Sequence, residues 1–552
     1  LDPFCGKEQA ERKIADSGWH IKHARDLARL LRNYPKLDLK AVGLDEMRGQ
    51  YFDLSECIES VIDKRYWTPE DVVHYMRACY ANTIGVEYMH ITNEEQRRWI
   101  RSKFDFFHES PRPKILKGQS LVSGGDGSDE NVLELMVRSH LLETFLADRY
   151  PSSKRFGLAG CESLILGLRA MFDRAEDLGV TSCQMGMAHR GRLNVLVNLL
   201  QKPLDVVCSE FEGTSKYSIG DVRYHLGMRS HLSDRFTVDL VANPSHLEMV
   251  FPVVVGKTRA AQHYLSDTER KQVMPLLIHG DAAFSAQGIV AETMELSDLK
   301  QYKVGGSVHV IVNNRIGYTT NTREARSSPW CTNMAKGVGN GVPVFHVNGD
   351  DVEAVMWCFE TAVEWRHKFG KDVIVDIVSY RRHGHDDIEN PMVSNPSMYT
   401  HIATQKPLLE MYLDEMCEER KSMVHRIHEH VVTEYDTIYE ARGSTLLSEE
   451  EESEVEEQQH HYIPNPTSMP MDTLRFVGER ITTLPKDSSF QIHPEVEALY
   501  ERRSRAIQTG EGIDMGLAES LAFGRCGVGL FIEHLNSIIQ PNRYNASEIY
   551  SR

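Results

Sequence analysis

Apolar and polar positions fall into three regimes along this chain. Up to about residue 110, apolar residues recur at three- and four-residue spacing over residues 24–31, 69–79 and 93–106, which predicts a small N-terminal helical domain, residues 1–110. Residues 111–131 are polar and glycine-rich, with Gly124-Gly125-Asp126-Gly127-Ser128 at their centre, and read as a flexible linker. No strand precedes that glycine run, so it is given no phosphate-binding role. A helical pattern resumes over residues 133–146, and from about Ser182 the period changes. Short apolar runs at residues 183–187, 237–242, 275–278, 308–312, 344–347 and 373–379 alternate with helical stretches and are bounded by glycine, proline and polar turns. This predicts an α/β domain over residues 132–420, built on a mostly parallel sheet covered on both faces.

Beyond Lys406 the pattern turns helical again and then acidic, through Glu449-Glu450-Glu451-Glu452-Ser453-Glu454. Residues 421–510 are therefore expected to be a helical and acidic linker region, and residues 511–552 a further segment.

One crossover organises the middle regime. The run 275–278 leads into His279-Gly280-Asp281, an amphipathic stretch over 284–300 follows, and the run 308–312 closes on Asn313-Asn314-Arg315-Ile316-Gly317. Strand, helix, strand at this length predicts a right-handed parallel crossover. Both strands then end at the same sheet edge, so Asp281 and Asn314, 33 residues apart, come close in space. A carboxylate, an amide oxygen and the Ile316 carbonyl suit Mg²⁺, which takes about six oxygens and leaves room for a diphosphate and water. Either dipeptide alone reads as a capping turn or an ordinary loop; the pair at crossover spacing points to a site.

Composition narrows the choice of partner. With 80 acidic against 62 basic residues the formal charge is -18, which disfavours nonspecific binding to nucleic acid or anionic membranes. No apolar run approaches the ~18 residues that cross a bilayer. Ten cysteines without a Cys-x-x-Cys motif indicate reduced thiols, with Cys161 and Cys331 read as buried small hydrophobes. The length predicts two to four domains, and because the chain begins at Leu1 its N-terminus carries no information on targeting.

The other strand ends carry chemistry too. Met187-Ala188 is followed by His189-Arg190-Gly191-Arg192 opening a helix, an arrangement suited to an anion. The run ending at Ala242 leads into Asn243-Pro244-Ser245-His246-Leu247-Glu248, with Arg223-Tyr224-His225-Leu226-Gly227 just before it. The last run ends in Tyr380-Arg381-Arg382-His383-Gly384-His385-Asp386-Asp387. Most of the 25 histidines must be bland, but these cluster at the edge where parallel sheets bind ligands.

Read in order, these motifs resemble the decarboxylating component of 2-oxoglutarate dehydrogenases. The thiamine diphosphate signature, Gly-Asp-Gly then Asn-Asn about thirty residues later, takes here the variant His279-Gly280-Asp281-Ala282-Ala283-Phe284 that is similar to that component's. Arg155-Phe156-Gly157-Leu158 and Gly160-Cys161-Glu162 extend the likeness, which covers most of residues 50–524; Ala159 departs where the family commonly has glutamate. The resemblance implies a thiamine diphosphate-binding α/β fold, thiamine diphosphate and Mg²⁺ as cofactors, and 2-oxoglutarate as substrate. Carried over by position, Asp281, Asn314 and the Ile316 carbonyl would hold Mg²⁺, and Arg190, Ser245, Leu247 and Ala282 would line the cofactor. His189 and His225 would meet the substrate, with His385 in a nearby loop.

It further implies succinyl transfer to a lipoyl acyltransferase, a dihydrolipoyl dehydrogenase in the same complex, a homodimer for the full-length protein, and the mitochondrial matrix. Residues 512–524 resemble the opening of the family's pyrimidine-binding half, and residues 525–552 match nothing in it. The chain is thus expected to be incomplete and inactive alone. The alternatives are a 2-oxoadipate dehydrogenase component, which Asp472-Thr473-Leu474-Arg475-Phe476-Val477-Gly478 also suggests, and a non-catalytic thiamine-binding assembly module.

Overall fold

All six apolar runs of the middle regime are strands, and all six are parallel members of one sheet. The structure, a computed structural model, describes residues 48–53, 66–71, 82–109, 129–214, 223–320, 322–337, 341–441, 470–484 and 494–526. Strands β1 (Phe52–Asp53) and β2 (Tyr66–Trp67) form a short antiparallel pair. The main sheet comprises β3 (Ile84–Glu87), β4 (Ser182–Met187), β5 (Met228–His231), β6 (Thr237–Leu240), β7 (Val273–Gly280), β8 (Val308–Asn313), β9 (Val344–Asn348) and β10 (Val373–Val378). Their order is β3-β9-β10-β8-β7-β4-β6-β5, with only the two edge strands, β3 and β5, antiparallel.

The sheet separates two cores, as the near-continuous apolar strands require. Leu276 and Ile278 of β7 and Val310 and Val312 of β8 face one core, where helices α1 (Glu94–Glu109), α2 (Asp129–Arg149), α3 (Ser163–Asp177), α5 (Val352–Phe369) and α6 (Glu418–Ala441) pack; α3 and α5 lie against each other. Leu277, Ile311, Val344 and Ile374 face the other, covered by α4 (Val250–Tyr264) and by Cys331, Met334, Ala335 and Val342. On this second face each strand turns polar toward its carboxyl end: Leu277 gives way to His279, Ile311 to Asn313, Val344 to His346 and Ile374 to Asp376. Apolar contacts therefore hold the amino ends of the strands and leave the carboxyl ends for chemistry.

Four differences from the sequence reading have physical causes. Residues 84–87 do not belong to a separate helical domain: β3 pairs with β9 in the main sheet. Both β3 and β5 went unpredicted because an edge strand need be apolar on only one face, and Met-Arg-Ser-His holds a single apolar residue. The amphipathic stretch over 284–300 is two short helices, Asp281–Ala286 and Gly288–Glu295, because Gln287 adopts extended backbone between them. Helix α6, assigned to a linker region by its charge, packs on α2 through Arg138–Glu434 and Arg149–Asp436 ion pairs at 2.7 Å. The expected helix at 24–31, most of 69–79, the loop at 111–128, the acidic run and residues 527–552 lie outside the described residues.

Compact units are Leu1–Ser448 and Glu449–Arg552. In the second, helices Met471–Ile481, Pro494–Thr509 and Met515–Cys526 pack together. Gly478 is tight against Ile507 there, and Arg503 grips Asp514 with two hydrogen bonds of 2.9 and 2.8 Å. No described helix is long and apolar enough to cross a membrane.

Two buried arginines tie the framework together. Arg366 of α5 donates to the carbonyls of Arg270, Val273, Val304 and Gly306, at the amino ends of β7 and β8. Near the opposite edge Arg192 donates to the carbonyls of Met187, Leu226 and Val241. Arg366→Met, similar in length but without donors, takes a donor from four carbonyls, of which Val273 and Val304 keep a hydrogen bond from Gln262. It is expected to cost about 3–5 kcal/mol of folding free energy, read as a lower urea midpoint at unchanged denaturant dependence.

Candidate functional site

The chain runs from β4 toward β6 on one side of the sheet and from β7 toward β8 on the other, so β4 and β7 flank a topological switch point. A pocket opens there at the carboxyl edge. Gly186 and Ala188 line it from β4, Asn243, His246, Leu247 and Glu248 from the loop after β6, and Ile278 and His279 from β7. Ser245 is exposed in the same loop and Leu247 is half-buried. The Asn243 side-chain oxygen is buried with no hydrogen-bond partner among the described residues.

Asp281 and Asn314 stand at the ends of neighbouring strands. Gly280 pairs with Val312, so each side chain lies one or two residues past a shared register point, on the same edge. A Cβ on Gly317 would come within 3.9 Å of the Ala282 Cβ, which places the loop after β8 against the start of helix Asp281–Ala286. That loop is built tightly. Asn314 accepts from the Ile316 amide at 3.3 Å, Arg315 takes a left-handed φ of 63°, and the Ile316 side chain is buried against Tyr380, Tyr399 and Ile402. Arg381 then donates to the carbonyls of Gly317 and Tyr318. Asn313, one residue earlier, points into the sheet instead and donates to Asp376 at 2.9 Å.

The Asp281 carboxylate is buried, and Arg326 donates to it at 2.9 Å. Burial raises its pKa, and the Arg326 charge opposes that rise. Among the described residues no three His, Cys, Asp or Glu side chains cluster as a metal site. The oxygens available to a hard cation are one carboxylate, one amide and one carbonyl, the set that suits Mg²⁺ with a diphosphate.

Two predicted histidines, His189 and His385, gather around Phe156, whose φ of 50° is unusual for a bulky residue. The Phe156 ring lies 4.4 Å from that of His189, 5.5 Å from His385 and 5.1 Å from Tyr224, the neighbour of His225; the His189 and His385 rings are 5.4 Å apart. Burial pulls His189 down to about 3, with repulsion from Arg190, His385 and His225 adding to it. Burial and then Arg190 lower His385 to about 4. Both imidazoles are thus neutral at pH 7. His225 Nδ1 is buried with no partner among the described residues.

Of the two arginines in the motif His189-Arg190-Gly191-Arg192, Arg192 serves the framework. Arg192 is buried on three carbonyls, and Arg190 donates to the carbonyls of Gly157 at 3.0 Å and His385 at 2.7 Å. Arg190 thus braces two loops while keeping further guanidinium N–H groups, and the helix that follows has only seven residues.

The sequence reading missed partnerships more than residues. Glu248, at a left-handed φ of 69°, places its carboxylate 2.5 Å from His279 Nδ1, and His279 Nε2 lies 3.0 Å from His309 Nδ1. Glu143, on α2, accepts from Asn194 at 2.9 Å, and burial lifts it to about 7. It lay inside an ordinary amphipathic pattern that gave no signal. Arg326 is likewise unremarkable as a letter in the chain.

The fold and site define an α/β protein that presents a polar pocket at the switch point of a doubly covered, mostly parallel sheet. The family model for the dehydrogenase E1 component matches residues 134–461, and the chain belongs to that family. It is 41% identical over 488 residues to the mitochondrial 2-oxoglutarate dehydrogenase of Dictyostelium discoideum, covering 83% of this chain and 45% of that protein. The Schizosaccharomyces pombe enzyme of the same name is 39% identical, with 84% and 46% covered, and that of Saccharomyces cerevisiae 38%, with 82% and 45% covered. The chain spans about half the length of the curated relatives it matches.

Beside the site, His346 sits between Asp376 at 2.7 Å and Glu87 at 3.8 Å. Burial alone would depress His346, but hydrogen bonds and charge from Asp376 and Glu87 outweigh it and raise it to about 9. Burial alone would raise Glu87, but His346 and Lys336 bring it to about 2. A histidine raised in the folded state stabilises fully below its unfolded pKa of about 6.5, and that contribution is lost as pH rises toward 9. The stability advantage of wild type over His346→Gln is therefore expected to shrink between about pH 6.5 and 9, by up to about 1.4 kcal/mol per pH unit. Paired urea titrations across that range check it.

Proposed function

We propose that this chain forms the diphosphate-binding half of the active site of a thiamine diphosphate-dependent dehydrogenase that decarboxylates 2-oxoglutarate. Support comes first from Asp281: a buried carboxylate at a strand end, beside the loop carrying Asn314 and Ile316, on the edge where the sheet's topology opens a pocket. The relatives' names and the family supply the substrate class. In this reading Asp281, Asn314 and the Ile316 carbonyl hold Mg²⁺, and Arg190, Ser245, Leu247 and Ala282 line the cofactor. When bound, the cofactor supplies an electron sink for the pair left on the acyl carbon as CO₂ departs.

The chain's own residues bind, orient and shield. His189 and His225 hydrogen-bond the dicarboxylate substrate, whose negative charge draws a proton toward the otherwise neutral His189. His385, tied to Arg190, closes the loop after β10 over them. Arg190 itself keeps that loop and Gly157 together while presenting its charge to the diphosphate. The succinyl group then passes to the lipoyl arm of a separate acyltransferase, with dihydrolipoyl dehydrogenase completing the cycle in the mitochondrial matrix. A homodimer is the form proposed for the full-length protein.

Calorimetry of thiamine diphosphate with Mg²⁺ tests the site. Asp281→Ala is expected to abolish Mg²⁺-dependent binding, and equal affinity in variant and wild type overturns the assignment. On a chain carrying both halves of the family's site, 2-oxoglutarate is expected to turn over faster than 2-oxoadipate.

A further inference from the structure

A strap, residues 322–337, crosses the second face of the sheet near its carboxyl ends. It is fastened at four points, each to a polar side chain. Arg326 donates to Asp281 just after β7, the Trp330 ring lies 4.2 Å from the His346 ring on β9, and Lys336 pairs with Glu87 of β3 at 3.1 Å. Between them the Cys331 sulfur lies 3.7 Å from the Asn313 amide of β8 and 4.0 Å from the Asp376 carboxylate of β10. One side chain from each of five adjacent strands thus meets the strap. Three fastenings concern groups outside the proposed metal site; only Arg326 touches a ligand.

We propose that Arg326 is a positioning residue, an internal counter-cation that holds the Asp281 carboxylate in place at the strand end and surrenders it when a divalent cation loads. This rests on the reading of Asp281 as a Mg²⁺ ligand. The physical case is one of charge balance. A carboxylate this deeply buried needs a cationic partner, and the Arg326 side chain, 10% exposed, meets it at hydrogen-bonding distance. A guanidinium and a divalent ion on one carboxylate repel each other strongly where water is excluded, so the second displaces the first. Trp330 to Lys336 stay fastened, because their partners carry no ligand. Motion is therefore confined to the Arg326 end, and the Trp330 ring, four residues on and held in place, senses the displaced guanidinium as a change in its local field.

Arg326→Gln removes the competing charge while keeping a hydrogen-bonding side chain, and Arg326→Lys keeps the charge. Calorimetry of the full chain with Mg²⁺ in the presence of thiamine diphosphate is expected to show about tenfold tighter Mg²⁺ binding in Arg326→Gln. Arg326→Lys is expected to stay within about threefold of wild type. A gain of affinity is a result that damage to the fold does not produce. In wild type, loading is also expected to change the tryptophan emission, a change that Trp330→Phe removes and Arg326→Gln diminishes. Unchanged or weaker binding in Arg326→Gln, with binding abolished in Asp281→Ala, overturns the exchange and leaves the metal site standing. No Mg²⁺-dependent binding in wild type overturns both. If Arg326→Gln does not fold, the wild-type emission decides: a change lost in Trp330→Phe supports the exchange, and no change defeats it.

Discussion

A buried anion must be met by a cation or a dense set of donors, and the second face of this sheet is arranged around that requirement. Asp281, Asp376 and Glu87 are drawn out of water by the helices and strap that cover the strand ends. Asp281 is answered by Arg326, Asp376 by His346, and Glu87 by His346 together with Lys336. Asn313 joins the second group by donating to Asp376. Because these residues come from β3, β8, β9, β10 and the first position after β7, the electrostatic balance joins five strands at the carboxyl edge of the sheet.

The same logic distributes the arginines. Arg192 and Arg366 are buried and spend their donors on backbone carbonyls at the strand ends and in the loops beside them, which makes them part of the framework rather than of the site. Arg190 and Arg381 do similar work nearer the pocket, bracing the loops after β10 and β8. A rigid set of loops is what a cofactor with two fixed ends needs, since small displacements of liganding groups forfeit much of the gain from proximity. Neutral imidazoles around Phe156 fit beside such a frame: they present donors and acceptors without the charge that would compete for the buried carboxylates.

Much of this was present in the amino-acid order. Six parallel strands were legible because strands buried on both faces must be apolar throughout, and glycine, proline and polar turns mark their ends. The proximity of Asp281 and Asn314 followed from crossover handedness and length, and the register of Gly280 with Val312 agrees. The edge strands β3 and β5 were not legible, since half-exposed pairing tolerates sequences such as Met-Arg-Ser-His. Nor was the place of α6 on the core, because surface ion pairs with α2 read in the sequence only as charge.

By itself the order of residues determined which groups stand at the carboxyl ends of the strands, for that depends only on local apolar periodicity and the handed geometry of the parallel crossover. Which of those groups are neutral, and which cation faces each acid, was decided by the tertiary structure alone. Arg326 meets Asp281 across 45 residues and His346 meets Asp376 across 30. Such partnerships have no signature in spacing, because burial and charge act through space and depend on what the folded chain brings within a few ångströms.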